Sequence, residues 1–174
     1  IKMKENEKID WIQRLNNLPR KNWENIYHLI IIPMYKEPLE IVRDTFKALL
    51  ESDYPTDRMI VILACEEKAR GEARKTAEII EKEFGRQFFK FLVAWHPADI
   101  PGEISGKASN ETWAAQKAKF LIIDPLKISY EDIIVTSLDA DTVVFPKYFS
   151  CLTWHYLTVL RPTRTSYQPI PLFI

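Results

Sequence analysis

The sequence predicts an α/β protein, with a mostly parallel, Rossmann-like sheet carrying helices on both faces. Three observations carry that expectation. Four apolar runs of strand length alternate with stretches of helical period. Parallel neighbours need crossover helices, and these wind in the right-handed sense. At 174 residues the chain is long enough for one full core and too short for two.

Residues 1–26 read as a charged helical lead-in, with Trp11, Ile12, Leu15 and Leu18 recurring at helical spacing before Pro19. "IYHLIIIPMYKE" follows, continuous and β-branched, the pattern of a central strand buried on both faces. In "PLEIVRDTFKALLES", Pro38 suits a first turn, and Leu39, Val42, Phe46, Leu49 and Leu50 form one stripe. "MIVILACEE" is a second strand. "GEARKTAEIIEKEFG" is a second amphipathic helix, with Ala73, Ala77, Ile80 and Phe84 inward and Gly85 ending it. "FFKFLVAW" is a third strand, stopped by His96 and Pro97. In "GKASNETWAAQKAKFL" the expected inner face is Trp113, Lys117 by its stem, and Phe120 or Leu121. "DIIVTSLDAD" is the fourth strand, "PKYFSCLTWHYLTVL" begins a helix at Pro146, and "TSYQPIPLFI" reads as extended.

Composition narrows the function classes. With 47% hydrophobic and 28% charged residues the chain reads as a globular, soluble domain. Lys plus Arg and Asp plus Glu balance at 24 each, so no global field draws it to nucleic acid or an anionic membrane. Any phosphate it binds must be gripped locally. Cys65 and Cys151 lack C-x-x-C spacing and read as ordinary cysteines of a reducing compartment. The apolar runs "LIIIPMY" and "FLIID" fall well short of the roughly 18 residues a membrane helix needs. Ile1 at the start and the apolar "YQPIPLFI" at the end are those expected of a piece of a longer protein.

Ligands of such sheets gather beyond the carboxyl ends of the strands, which selects residues 33–37, 65–67, 96–107 and 139–141. "PGEISGKAS" superficially matches a phosphate-binding P-loop. Yet Gly102 and Gly106 are separated by three residues and Ala108 follows Lys107, so the loop is short and lacks the hydroxyl that faces Mg2+. The strongest signal is "SLDADTV". Asp139 and Asp141 stand two apart at a strand end, and both face one way while the backbone stays extended. Converged carboxylates repel unless a cation lies near them. Oxygen-only ligands suit Mg2+ or Mn2+, with phosphate oxygens as further ligands. His28, His96 and His155 have no ligand-like spacing and read as structural, and Ser137 has no paired His to make a hydrolase triad. The aromatic residues read as core, Trp95 and Trp113 being the two to watch as sugar platforms.

On these residues the chain resembles the nucleotide-sugar half of a family-2 glycosyltransferase of the GT-A fold, in the style of cellulose-synthase-like enzymes, over residues 27–174. "IIIPMYKE" is similar to the family's P-x-Y/F-N-E, with Lys36 where Asn is common. The resemblance implies that Pro33, Tyr35 and Glu37 approach the uracil and ribose of a UDP-sugar. Where the family has a base-reading Asp this chain has "ACEEKA", which gives that role to Glu66, with Glu67 as the nearby alternative. A carboxylate accepts the uracil N3–H as a charge-assisted hydrogen bond. "GKASN" resembles the family's K-A-x-N, so Lys107 would supply charge to the nucleotide and Asn110 a hydrogen bond or a helix-start cap. Asp141 would hold the divalent metal, Mn2+ or Mg2+, and Asp139 would contact the ribose or the metal. Gln168 and Pro169 match a later segment of the cellulose-synthase-like group weakly.

The implied reaction is metal-dependent sugar transfer from a UDP-sugar to the hydroxyl of a saccharide or lipid-linked acceptor, by an inverting enzyme. Neither a T-E-D base motif nor Q-x-x-R-W follows Gln168. The base is therefore expected beyond Ile174, the fold is expected to be incomplete at its C-terminus, and the chain is expected to hold the donor site alone. The resemblance also implies a cytoplasmic domain whose parent sits at the inner or plasma membrane, with this domain on the cytoplasmic side. Two other classes stay open. One is a nucleotidyltransferase, which carries a glycine-rich loop where this chain has "PMYKEP"; the other is a non-catalytic nucleotide-binding or interaction module.

Overall fold

A computed structural model describes residues 8–19, 22–104 and 106–169. Its sheet has four parallel strands, β1 (Tyr27–Met34), β2 (Met59–Glu66), β3 (Lys90–His96) and β4 (Ile133–Ser137), in the order β3-β2-β1-β4. Among the described residues, five α-helices longer than a single turn accompany it: α1 (Trp11–Asn16), α2 (Leu39–Leu50), α3 (Arg70–Phe84), α4 (Lys107–Ala118) and α5 (Tyr148–Thr158). This is the doubly wound α/β arrangement the alternation predicts.

The pleat of β1 divides the core. Ile30, Ile32 and Met34 point to one face, where Val42, Phe46 and Leu49 of α2 and Ala73, Ala77, Ile80 and Phe84 of α3 meet them. Leu29 and Ile31 point to the other, with Ile60, Ile62 and Ala64 of β2 under Ala114 and Ala118 of α4. Burying each large side chain here contributes about 1.5–3 kcal/mol, which is why the central strands are apolar on both faces. The short α1 is anchored by Trp11, whose ring lies 5.5 Å from that of Trp154 on α5. Cys65 is buried and free, and burial pushes its thiol up to about 12, so it packs as a small hydrophobe.

Two local expectations are corrected and one is borne out. The inner face of α4 is Asn110, Ala114 and Ala118, whereas Phe120 and Leu121 are 61% and 59% exposed. A π-helical turn, Lys119–Ile123, follows α4 and rotates the chain so that Ile122 and Ile123 face inward instead. Gly85 ends α3 as expected, with φ −59°; its missing side chain matters because a Cβ there would lie 2.5 Å from the Glu81 carbonyl oxygen. Finally, β4 is a half-exposed edge strand that ends at Ser137, before the acidic pair, and Val135 on it is 59% exposed. Residues 165–169 pair with no strand, and 170–174, the rest of the expected extended run, lie outside the described residues. Among the described residues, no helix is long and apolar enough to cross a membrane.

Candidate functional site

The strand order reverses between β1 and β4, since β2 and β3 lie on one side of β1 and β4 on the other. Two chain directions diverge there and open a crevice beyond the carboxyl ends, where ligands of open α/β sheets bind. The crevice holds a cavity of about 270 Å3, lined by Pro33, Met34, Tyr35, Glu37, Glu66, Lys107, Asn110, Asp139, Ala140 and Asp141. The eight residues assigned donor or metal roles from the sequence, Pro33, Tyr35, Glu37, Glu66, Lys107, Asn110, Asp139 and Asp141, are among them, whereas Gln168 and Pro169 are not. Glu66, the last residue of β2, lines the cavity, and Glu67 opens the short turn that follows. Trp95 and Trp113 do not line it.

The acidic pair is presented by a turn, not by extended backbone. The Leu138 N–H still donates to the Ile31 carbonyl at 3.0 Å, and the Thr142 N–H folds back to Asp139 O at 2.9 Å. Between the two aspartates, Ala140 is buried and its carbonyl accepts from Thr45 Oγ on α2 at 2.7 Å. With Ala140 pinned inward, the residues on either side of it both border the cavity. Sequence reasoning missed Thr45. Its signal was a polar residue on the buried stripe of α2, between Val42 and Phe46.

The other rims are fixed in comparable ways. One carboxylate oxygen of Glu37 accepts from the Tyr35 and Lys36 N–H groups at 2.7 and 3.0 Å, which closes the turn after β1. Asn110, almost fully buried, donates through Nδ2 to Ala64 O at 2.9 Å and so ties the first turn of α4 to β2. Its Oδ1 has no hydrogen-bond partner among the described residues. Lys107, the first residue of α4, makes an ion pair with Asp139 and lies 3.8 Å from Glu111. The Asp139 carboxylate, and behind it Glu111, hold the Lys107 ammonium above its ordinary value. Glu111 in turn accepts from Ser137 Oγ at 2.7 Å. Before α4 the chain turns at Gly102, with φ +81°, and Glu103 comes within 2.7 Å of the buried His96 ring.

The donor set fits a divalent ion only in company. Asp139 and Asp141 both line the cavity, and among the described residues no group of three or more His, Cys, Asp or Glu is arranged to hold a metal alone. Mg2+ and Mn2+ are commonly held by one or two carboxylates with waters and substrate phosphates as the remaining ligands. A wider groove, of about 670 Å3, lies at the amino ends of β1 and β4 beside Ile26, Glu131 and Arg161. It has no such convergence of strand tips.

No protein-family model matches the chain, and no characterised protein matches it by sequence. Among solved structures it is similar to Staphylococcus aureus TarS 1–349, with TM-score 0.51 and 16% identity, covering 72% of this chain and 31% of that one. It is also matched to the mannosyltransferase PcManGT from Pyrobaculum calidifontis, a complex with GDP-Man and Mn2+, at TM-score 0.42 and 20% identity, over 82% of this chain and 37% of that one. The chain thus spans about a third of the length of either. What it shares with TarS is the Rossmann-like fold.

Proposed function

We propose that this chain forms the donor-binding part of a glycosyltransferase that uses a nucleotide-diphosphate sugar, with UDP as the nucleotide. The observation that carries the reading is the convergence of eight chemically apt residues, from three strand tips and one helix start, on a single cavity at the point where the strand order reverses. Glu66 is suited to accept the uracil N3–H, and Tyr35 presents a half-exposed ring at the mouth of the same cavity. Lys107 and the N-terminal end of α4 favour the diphosphate. Asp139 and Asp141 would hold a divalent ion that, when bound, stabilises charge developing on the departing diphosphate. Asn110 and Thr45 keep the rims of the cavity in register. An inverting reaction and a membrane-associated parent go with the same reading.

Calorimetric titration of UDP onto the chain, with and without Mn2+, tests it. Binding is expected to be much tighter with the metal, and Asp141→Ala is expected to weaken it at least tenfold, about 1.4 kcal/mol. Equal binding of ATP or CTP would favour a nucleotidyltransferase. A folded chain that binds no nucleotide would be an interaction module.

A further inference from the structure

The Lys107–Asp139 ion pair sets the one cation that lines the cavity among the described residues on one of the two carboxylates a metal would need. We infer that Lys107 is a placeholder: it occupies Asp139 until a nucleoside diphosphate draws it away, so that divalent ion and diphosphate enter the cleft cooperatively. The inference rests on the donor-site reading and adds an order of events to it.

Four features support the exchange. Both partners are more than half exposed, at 54% and 63%, so the contact is weak and easily given up. Glu111, 3.8 Å away, is a second carboxylate toward which the ammonium can swing without losing a partner. Lys107 stands at the start of a 12-residue helix, where the helix dipole disfavours a cation and favours phosphate, so a diphosphate there is a better partner than Asp139. With one carboxylate neutralised, and no group of three or more His, Cys, Asp or Glu among the described residues arranged to hold a metal, a metal ion alone has little to hold it. Phosphate oxygens supply the missing ligands and release Asp139 in the same step. Affinity changes of this kind are reciprocal, so the metal must tighten the diphosphate by the factor by which the diphosphate tightens the metal.

The test is Mn2+ binding to the intact chain, read by the loss of the free-ion paramagnetic resonance signal, with and without UDP. In the wild type, UDP is expected to tighten Mn2+ about tenfold or more, within the usual range of coupling between sites. Lys107→Gln is expected to bind Mn2+ alone several-fold tighter than wild type and to lose most of the UDP-linked gain. Lys68→Gln removes the same charge from a lysine that pairs with Asp99 outside the cavity, and is expected to change neither quantity. If wild type shows UDP-dependent Mn2+ binding but Lys107→Gln binds the bare ion no tighter, or Lys68→Gln tightens it equally, the placeholder is wrong and the donor site stands. If wild type binds neither UDP nor Mn2+, both fall.

Discussion

Thr45 and Asn110 act alike from opposite faces of the sheet: each is a buried side chain that donates to a main-chain carbonyl beside the cavity, Ala140 and Ala64 respectively. Such bonds are strong because the carbonyl has no water to fall back on. His28 shows the opposite case, a buried ionisable ring with no charge near it. Its Nε2 lies 2.8 Å from Thr153 Oγ, and its ring is edge-on to Tyr54 and Phe149. Burial holds its pKa down at about 3. An unfolded histidine takes up a proton below about pH 6.5, so between there and about pH 3 the unfolded chain binds the extra proton and stability falls as pH falls. From pH 7 to pH 5 the loss from this residue is about 2 kcal/mol, to be read by urea denaturation. His28→Phe is expected to be less stable at pH 7 and to show a flatter pH dependence over that interval. Equal slopes in the two proteins would exclude His28 as the source.

At the scale of elements, α4 couples packing to the cavity. It lies on the sheet through Asn110, Ala114 and Ala118, small or hydrogen-bonded residues that let the helix backbone come close, and its first turn carries Lys107. Ala114→Leu must lift the helix or force a strained rotamer, at about 1–3 kcal/mol of stability. Because Lys107 and Asn110 ride on the same rigid element, the variant is expected to bind Mn2+–UDP several-fold more weakly even where it is fully folded. Unchanged affinity with lowered stability would mean that the two ends of α4 move independently. The inner face of this helix was also the least legible in the sequence. Large apolar residues dominate a hydrophobic pattern, so Trp113 and Phe120 looked inward, while the alanines that touch the sheet gave no signal. The π turn that brings Ile122 and Ile123 inward breaks the regular period on which such a reading depends. By contrast β1 and β2 were plain, because strands buried on both faces tolerate almost nothing polar. Asp139 and Asp141 were legible as a pair, but the turn that presents them was not, since it depends on Thr45, 95 residues away in sequence.

For the whole molecule, the balance of charge and its local arrangement say different things. The chain is formally neutral, with 24 basic and 24 acidic residues, yet among the described residues the cavity is lined by four carboxylates, Glu37, Glu66, Asp139 and Asp141, against one ammonium, Lys107. The parallel topology produces this asymmetry, because it gathers the strand ends at one end of the sheet, and three of those ends bring acids here. A nucleoside diphosphate, itself an anion, therefore meets a net negative cleft unless a divalent ion comes with it. Repulsion between like charges is screened by salt, and the screening length shortens from about 20 Å to about 7 Å between about 20 and about 200 mM. Metal-free UDP affinity, however weak, is thus expected to rise or hold constant as NaCl is added over that range. A cleft that attracted phosphate by its own field would show the reverse, a several-fold loss. That reverse result, measured by equilibrium dialysis in the presence of chelator, would mean that Lys107 and the helix start outweigh the four acids, and the divalent ion would then have no electrostatic reason to be required.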